Sequence, residues 1–221
     1  MPRPREDATE RLCVEGNEDR WAVIRLLERN GISCDTSINP QMPYIHDSNG
    51  CNALLDSLPT AVKTYQKLGV MIDANSEPDK RWLQLKNRLE RARVILPAHP
   101  LPEGTIAEGQ RPGYRIGVWV MPDNSQPGAL EEFFAGLIPQ GDVCWPCTEE
   151  VCTEAQQKWG ACFPNSAFMK ARIRTWLAWR KKPGLPFGTA LKADYFRHDS
   201  EPASRFVSWF RQLFLEETPR S

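Results

Sequence analysis

The sequence predicts an α/β fold with a mostly parallel central sheet of about four strands, flanked by helices and followed by a C-terminal helical extension. Two observations predict it. Short apolar runs typical of buried strands alternate four times with amphipathic segments typical of helices. The chain of 221 residues is long enough to bury a substantial core. We expect residues 1–9 to be unstructured, residues 10–140 to form the α/β core, and residues 141–221 to pack on it as helices.

The first half of the core contains two predicted strands and two helices. "RLCVEG" is a buried strand that ends at Glu15, and "NEDRWAVIRLLERNG" is a helix capped by Asn17 and stopped at Gly31. "ISCDTSI" is the predicted second strand. "NALLDSLPTAVKTYQ" follows as a helical segment, which we expect to break or bend before Pro59 because proline disfavours helical geometry in the preceding residue.

The second half repeats the alternation. "LGVMID" is a strand that ends at Asp73, and "SEPDKRWLQLKNRLERA" is a helix with Ser76 as cap and Asp79 as the acid of a capping box. The Pro- and Gly-rich "PAHPLPEGTIAEGQRPG" predicts a loop. "YRIGVWVMPDN" is the fourth strand, which ends near Asp123, and "GALEEFFAGLIP" has the apolar spacing of an amphipathic helix.

The C-terminal third has a different character. "CWPCTEEVCTEAQQKWGACF" is irregular or weakly helical, and "NSAFMKARIRTWLAWRKK" is a strong helix candidate. "PGLPFG" predicts a break. "SRFVSWFRQLFLEE" carries its apolar residues on one helical stripe.

Composition excludes a global electrostatic attraction to nucleic acid or membranes, because 28 Lys and Arg balance 28 Asp and Glu. The sequence contains no apolar stretch of the ~18 residues that a membrane span needs, and the N-terminus lacks the apolar core of a secretion signal. We therefore expect a cytoplasmic protein with no membrane contact.

Seven cysteines in scattered positions suit reduced thiols. The group Cys144, Cys147, Cys152 and Cys162 raises two alternatives, a zinc site and a redox Cys-x-x-Cys. Its spacing matches no standard zinc knuckle, and "CWPC" lies in a predicted loop late in the chain. Unpaired structural thiols are the favoured interpretation.

Three predicted strands end at an acid: Glu15, Asp73 and Asp123. The carboxyl ends of parallel strands meet at one edge of a sheet, and acids gathered there repel one another unless a cation neutralises them. Hard cations such as Mg²⁺, or Mn²⁺ in its place, take oxygen ligands of this kind. The alternative is that each acid is only a turn former or helix cap.

Further oxygen donors lie close to these acids in sequence. Asp19 follows Glu15 by one helical turn, so both can face the same point. Glu131 or Glu132, in the first turn of the helix after "MPDNSQPG", could add another ligand. Asn75 stands two residues after Asp73, where a metal site would more naturally have a second acid.

Four segments together resemble an uncharacterised Toprim-related family: "CVEGNEDRW", "GVMIDANSEPDKRW", "RIGVWVMPDNSQPGALEEFF" and "FMKARIRTWLAWRKKPGLPFGTAL". That pattern runs VEG, IDAD with a following RW, GVWxMPDN with GxLEDF, and KAxxxTWLAW with PGxPxG. The resemblance covers residues 11–214. Toprim domains occur in topoisomerases, primases, recombination proteins and overcoming-lysogenization-defect type nucleases, where a first-strand glutamate and a later Asp-x-Asp hold Mg²⁺ for phosphodiester chemistry.

The resemblance implies a role for each matching residue. Glu15 is similar to the Toprim glutamate, a general acid/base or metal ligand, and Asp73 to the first acid of Asp-x-Asp. The implied metal ligands are Glu15, Asp19, Asp73, Asn75, Asp123, Glu131 and Glu132. Asn75 replaces the second acid with a neutral amide, so we expect weaker metal affinity with the fold retained.

A basic segment hidden by the neutral total lies between residues 165 and 193, which contain seven Lys or Arg and no acid. On a helix, Lys170, Arg174 and Lys181 would share one face and contact phosphates. Lys170 is the preferred residue for stabilising transition-state charge. The alternative is a solvated basic face, with the tryptophans of this segment in the core.

These observations predict a Mg²⁺-dependent phosphodiester-cleaving enzyme, a Toprim-type nuclease acting on DNA or RNA, with Glu15, Asp73 and Lys170 as catalytic residues. Nucleases of this kind resemble parts of bacterial or phage-defence systems that act with an ATPase partner, and the chain itself has no G-x-x-x-x-G-K-[ST]. A non-catalytic Toprim-like module that binds nucleic acid or protein is the main alternative, and nucleotidyl transfer a third. Homo-oligomerisation remains open.

Overall fold

The computed structural model describes residues 8–216 and has an α/β fold, as predicted. One sheet has the strand order β2-β1-β3-β5-β4. Its pairs are parallel except for β4 with β5, which is antiparallel. The strands are β1 (Glu10–Val14), β2 (Tyr44–Asp47), β3 (Lys67–Asp73), β4 (Thr105–Glu108) and β5 (Arg115–Met121). The predicted count of about four was wrong, because the sheet has five strands.

Helices connect the strands and make up the C-terminal part. They are α1 (Asn17–Arg29), α2 (Cys51–Thr64), α3 (Pro78–Glu90), α4 (Leu130–Ala135), α5 (Cys144–Lys158), α6 (Phe168–Ala178), α7 (Phe187–Lys192) and α8 (Glu201–Phe214), with a 3₁₀ turn at Asn165–Ala167. None of the helices within the described range has the length and apolar character that a membrane crossing needs. The predicted unstructured segment, residues 1–9, lies outside the described residues except for its last two.

Two strand predictions were wrong. "ISCDTSI" forms turns, because the Asp35 carboxylate accepts hydrogen bonds from the N–H and hydroxyl of Ser37 at 2.9 and 2.6 Å, and the strand comes later, at Tyr44–Asp47. The predicted Pro- and Gly-rich loop contains β4, which pairs with β5 from Thr105 opposite Val118 onward. Strands of four residues are too short for a clear period, so pairing rather than local pattern defines them.

The helix predictions also needed corrections. α2 continues through Pro59 without a break. "CWPCTEEVCTEAQQK" is a full helix, whose first N–H groups, those of Cys144 and Trp145, donate to the Asp142 carboxylate at 3.0 and 2.9 Å. The predicted break "PGLPFG" ends in α7.

Two predicted helix caps are absent as well. Gly16 rather than Asn17 stands at the cap of α1, and Glu77 rather than Ser76 at that of α3. Neither cap position makes a side-chain capping hydrogen bond within residues 8–216.

The core has two layers, one on each face of the sheet. α2 and α3 cover one face, and α1, α4 and the C-terminal helices α6–α8 cover the other. Gly69 and Gly117 pair in register on β3 and β5, where α8 passes over them. A Cβ at Gly69 would lie 2.9 Å from the Phe214 ring, and one at Gly117 would clash with the Leu213 side chain. The two glycines therefore let α8 seat directly on the sheet.

Candidate active site

The carboxyl ends of β1 and β3 are tied together by a side chain. Glu15 follows β1, and its Oε1 accepts a hydrogen bond from the Asp73 N–H at 2.9 Å. Because the two strands are parallel neighbours, their last residues meet at one edge of the sheet, as predicted for Glu15 and Asp73.

Two helices bring further acids to this edge. Asp19 lies in the first turn of α1 and is turned back toward the strand end, since its Oδ2 would lie only 3.2 Å from a Cβ at Gly16. Glu131 and Glu132 lie in the first turn of α4. We call the five acids of this edge the carboxylate cluster: Glu15, Asp19, Asp73, Glu131 and Glu132.

Two acids of the carboxylate cluster, Asp73 and Asp19, have strongly raised pKa values. Burial raises the pKa of Asp73 to about 8, helped by the charges of the other four acids in the cluster. Burial also raises the pKa of Asp19 to about 7, with contributions from Glu15 and Glu131, although backbone hydrogen bonds oppose the rise. The Oδ1 atom of Asp73 is buried and has no hydrogen-bond partner within residues 8–216. Partial desolvation and like charge thus act together on these groups.

Two cations border the cluster. The Lys170 ammonium lies 3.0 Å from Glu131 Oε1, with a side chain that is 62% exposed, so the structure brings the predicted Lys170 to the predicted acids. Arg81 donates from Nε to the Asp73 carbonyl at 2.8 Å and from Nη1 to Cys51 Sγ at 2.6 Å. The sequence predicted no role for Arg81. The one sequence feature that marks this residue is the "RW" of the family pattern, which follows "IDAN" in this chain.

Burial raises the pKa of Glu15 too, and the Asp73 N–H and the charge of Arg81 counter this rise. Arg81 is therefore a cation that lowers the pKa of Glu15 from the side of α3.

Asp123 lies beyond the end of β5 but is engaged in its own loop. Its Oδ1 accepts hydrogen bonds from the Ser125 N–H and hydroxyl, both at 2.9 Å, and from the Gln126 N–H at 2.8 Å. Partial burial works to raise the pKa of Asp123, but these donors and the charge of Arg205 lower it overall. This carboxylate organises a turn, which is the alternative role considered for strand-end acids.

Asn75 has a backbone reason for its identity. Its φ is +54°, a left-handed conformation in which asparagine is enriched among non-glycine residues. Its N–H donates to the Gly128 carbonyl at 2.7 Å, and the Gly128 N–H returns the bond at 2.7 Å. The exposed residue borders a cleft of about 290 Å³ with Ser76, Lys80 and Arg81.

The predicted basic face is only partly present. Arg174 is paired with Glu18 at 2.5 Å, and its guanidinium lies 4.5 Å from the Phe187 ring centre. α6 ends at Ala178, so the prediction that Lys181 shares a helical face with Lys170 and Arg174 was wrong. Trp179 is the C-cap residue of α6, so Lys181 lies beyond the end of the helix.

The tryptophans of the same segment divide into two kinds. Trp176 is fully buried, as predicted for a core residue, whereas Trp179 is 44% exposed.

All seven cysteines are free. Cys144, Cys147 and Cys152 lie on α5, and Cys162 follows it.

The cluster offers only carboxylate oxygens, the donor type that Mg²⁺ and Mn²⁺ prefer, and the unpartnered Oδ1 of Asp73 is one of them. Within the described range, however, no three Asp, Glu, His or Cys side chains are grouped to hold a metal ion. Hydrogen bonds and an ion pair hold three of the acids elsewhere: Glu15 to the Asp73 N–H, Glu132 to the Ala129 N–H at 2.7 Å, and Glu131 to Lys170. The donor chemistry fits a hard cation, and binding would require these side chains to turn inward.

A family model matches residues 9–215, nearly the whole chain, and its description is protein of unknown function (DUF3226). The chain belongs to this family. No curated protein and no solved structure matches the chain. The DUF3226 pattern thus spans both the strand-end acids and the C-terminal helices that cover the sheet.

Proposed function

We propose that this protein is a Toprim-type, Mg²⁺- or Mn²⁺-dependent phosphodiester-cleaving enzyme that acts on DNA or RNA. The observation that carries the proposal is the carboxylate cluster, where burial and mutual repulsion raise the pKa of Asp73 to about 8 and of Asp19 to about 7. Holding acids in this way opposes folding unless protons or a cation neutralise them. A cation site is a functional reason for such an arrangement.

The residues of the chain have distinct roles in this proposal. Glu15, Asp19 and Asp73 would hold the cation, which when bound supplies charge neutralisation and Lewis-acid polarisation of a phosphate. The resemblance implies that Glu15 is a general acid/base or a metal ligand. The exposed Lys170 can leave Glu131 and contact the negative charge of a phosphate.

Cleavage assays with matched variants test the proposal. Single-stranded DNA, duplex DNA and structured RNA are incubated with Mg²⁺ or Mn²⁺ and the wild type, Glu15→Gln or Asp73→Asn. The Glu15→Gln change keeps a side-chain oxygen that can accept the Asp73 N–H, so it removes charge while preserving the strand-end hydrogen bond. We expect metal-dependent cleavage by the wild type only. Equal cleavage by both variants would contradict the proposal.

One observation favours a second candidate, a non-catalytic Toprim-like module that binds nucleic acid or protein. Asn75 supplies a neutral amide where the resemblance implies an acid, and its backbone position already accounts for an asparagine there. Binding of nucleic acid with no metal-dependent cleavage of any of the three substrates would favour this module over the enzyme.

Further parts of the proposal concern the setting of the enzyme. We propose a cytoplasmic protein, which the seven free cysteines support. An ATPase partner within a defence system, implied by the resemblance, would supply any ATP hydrolysis. Co-purification of a tagged chain with a nucleotide-hydrolysing protein tests that partner.

A further inference from the structure

A pocket of about 480 Å³ lies between α1 and α7. α1 contributes Asn17, Trp21 and Arg25, and the segment around the start of α7 contributes Pro186, Gly188 and Thr189. This segment contains "PGLPFG", a sequence feature for which the proposed catalytic chemistry has no use. The volume lies in the range of pockets that hold small organic groups.

Close packing of two helices forms the pocket. A Cβ at Gly188 would lie 2.7 Å from the Trp21 carbonyl oxygen, so the backbone of α7 rests directly on α1. Phe187 anchors α7 from below, fully buried and stacked on Phe134 with ring centres 4.5 Å apart. The Trp21 side chain stays at the surface and is 37% exposed. The partly exposed indole therefore lies beside a pocket wall that close helix packing forms.

The charges around the indole favour a planar, electron-rich partner. The guanidinium groups of Arg20 and Arg25 lie 5.6 and 5.7 Å from the Trp21 ring centre, and Arg25 is also ion-paired with Glu28 at 2.5 Å. The acid of the pocket, Glu18, is balanced by Arg174 at 2.5 Å. Aromatic and guanidinium planes of this kind stack on unpaired bases.

Polar groups at the rim could then read the edge of a stacked base. Asn17 carries an amide and Thr189 a hydroxyl, and both line the pocket. An amide offers donors and an acceptor together, and a hydroxyl offers both. These are the groups that hydrogen-bond to exposed base edges.

The residues of α1 that line the pocket begin at Asn17, two residues after Glu15 of the carboxylate cluster. Only Gly16 separates Glu15 from Asn17 in the chain, so the Cα atoms of Asn17 and Glu15 lie within about 8 Å of each other. We propose that the pocket binds an unpaired nucleobase next to the scissile phosphodiester, with Trp21 as the stacking platform. This inference rests on the proposed function and assigns its substrate class, single-stranded or unpaired nucleic acid.

The test measures binding in EDTA, so it does not depend on cleavage. Fluorescence anisotropy follows labelled single-stranded DNA and RNA oligonucleotides and a blunt DNA duplex with the wild type, Trp21→Ala, Trp21→Phe and the control Trp179→Ala, which removes another partly exposed indole. We expect Trp21→Ala to weaken single-strand binding about 5- to 100-fold, as loss of one base stack does. Trp21→Phe should weaken it less, and Trp179→Ala by less than about twofold.

Three results would overturn the inference. Equal affinity of Trp21→Ala and Trp179→Ala would remove the stacking role, and equal wild-type affinity for duplex and single strand would remove the requirement for an unpaired base. Absence of wild-type binding to every one of these oligonucleotides would also contradict the inference. Loss of binding in Trp21→Ala beside unchanged cleavage in Glu15→Gln and Asp73→Asn would instead refute the proposed catalytic site alone.

Discussion

Asp73 and Asp123 follow the same sequence pattern on neighbouring parallel strands, yet their surroundings differ. Asp73 is the last residue of β3, and Asp123 lies two residues beyond β5. An asparagine with left-handed backbone follows each, Asn75 at φ +54° two residues after Asp73 and Asn124 at φ +67° directly after Asp123. Burial and neighbouring acids raise the pKa of Asp73 to about 8, and its Oδ1 has no partner within residues 8–216. Asp123 Oδ1 accepts three hydrogen bonds, and its pKa is lowered.

The difference comes from what the rest of the fold places beside each acid. Glu15, which follows β1, and the acids of α1 and α4 act on Asp73, whereas Asp123 meets the N–H groups of its own loop and the charge of Arg205. An acid at the end of an apolar strand is therefore not by itself a sign of a metal site. The neighbouring groups decide whether the pKa of the carboxyl is raised, as in Asp73, or lowered, as in Asp123.

Catalysis should separate the two acids most strongly. We expect Asp73→Asn to lower metal-dependent phosphodiester cleavage by about 100-fold or more, because it removes a charge at the proposed cation site. Asp123→Asn should stay within about fivefold of the wild type, since an amide oxygen can still accept the loop hydrogen bonds. Initial rates on the best substrate measure both. Equal losses in the two variants would mean that Asp123 belongs to the same site.

For folding stability, in contrast to catalysis, we expect the carboxylate of Asp123 to be important. Asp123→Ala leaves the N–H groups of Ser125 and Gln126 without their acceptor, and we expect the free energy of unfolding to fall by about 1–3 kcal/mol. Urea unfolding at pH 7 in EDTA measures the loss. Ser204→Ala, a change on the surface of α8, serves as a control. An unchanged midpoint for Asp123→Ala would argue against the turn as the role of this acid.

The pH dependence of stability tests the strain at Asp73. The unfolded carboxyl loses its proton near pH 4, whereas the folded one keeps it until about pH 8. The unfolded state therefore binds fewer protons between these values, and stability without divalent ions should fall as pH rises through this window. We expect the free energy of unfolding of Asp73→Asn to exceed that of the wild type at pH 8.5 and to be nearly equal to it at pH 4.5.

Thermal unfolding in EDTA at several pH values provides this measurement. The matched Asp123→Asn variant should show no gain at pH 8.5, because the pKa of Asp123 is lowered rather than raised. Parallel pH profiles for the wild type and Asp73→Asn would contradict the assigned strain.

The smallest expected effect concerns the asparagine that follows Asp73. Asn75→Asp adds a carboxylate near the cluster, and aspartate also tolerates the left-handed backbone. We expect Mg²⁺ or Mn²⁺ affinity to rise about three- to tenfold, since affinity at oxygen sites follows ligand charge. Calorimetric titration of both proteins measures the change. Identical affinities would mean that this position lies outside the cation site.

Local pattern was sufficient for much of the fold. The sequence alone predicted β3 and β5 from their long apolar runs and α8 from its amphipathic stripe. Burial on a sheet or on one helix face imposes such patterns on nearby residues. The short strands β2 and β4 were missed because pairing with β1 and β5, rather than a local period, defines them. The sequence of α5 predicted only a weak helix, because the Asp142 carboxylate that accepts hydrogen bonds from its first N–H groups lies before "CWPCTEEVCTEAQQKWGACF".

For the candidate site, the sequence determined that Glu15 and Asp73 would lie at one edge of a parallel sheet, since strand direction alone brings their ends together. Only the tertiary structure decided that Asp73 is strained while Asp123 is satisfied, that Arg81 supports the strand end, and that α7 and α1 enclose the Trp21 pocket. Burial, pKa and pocket shape depend on contacts between residues far apart in the chain, and no local pattern encodes those contacts.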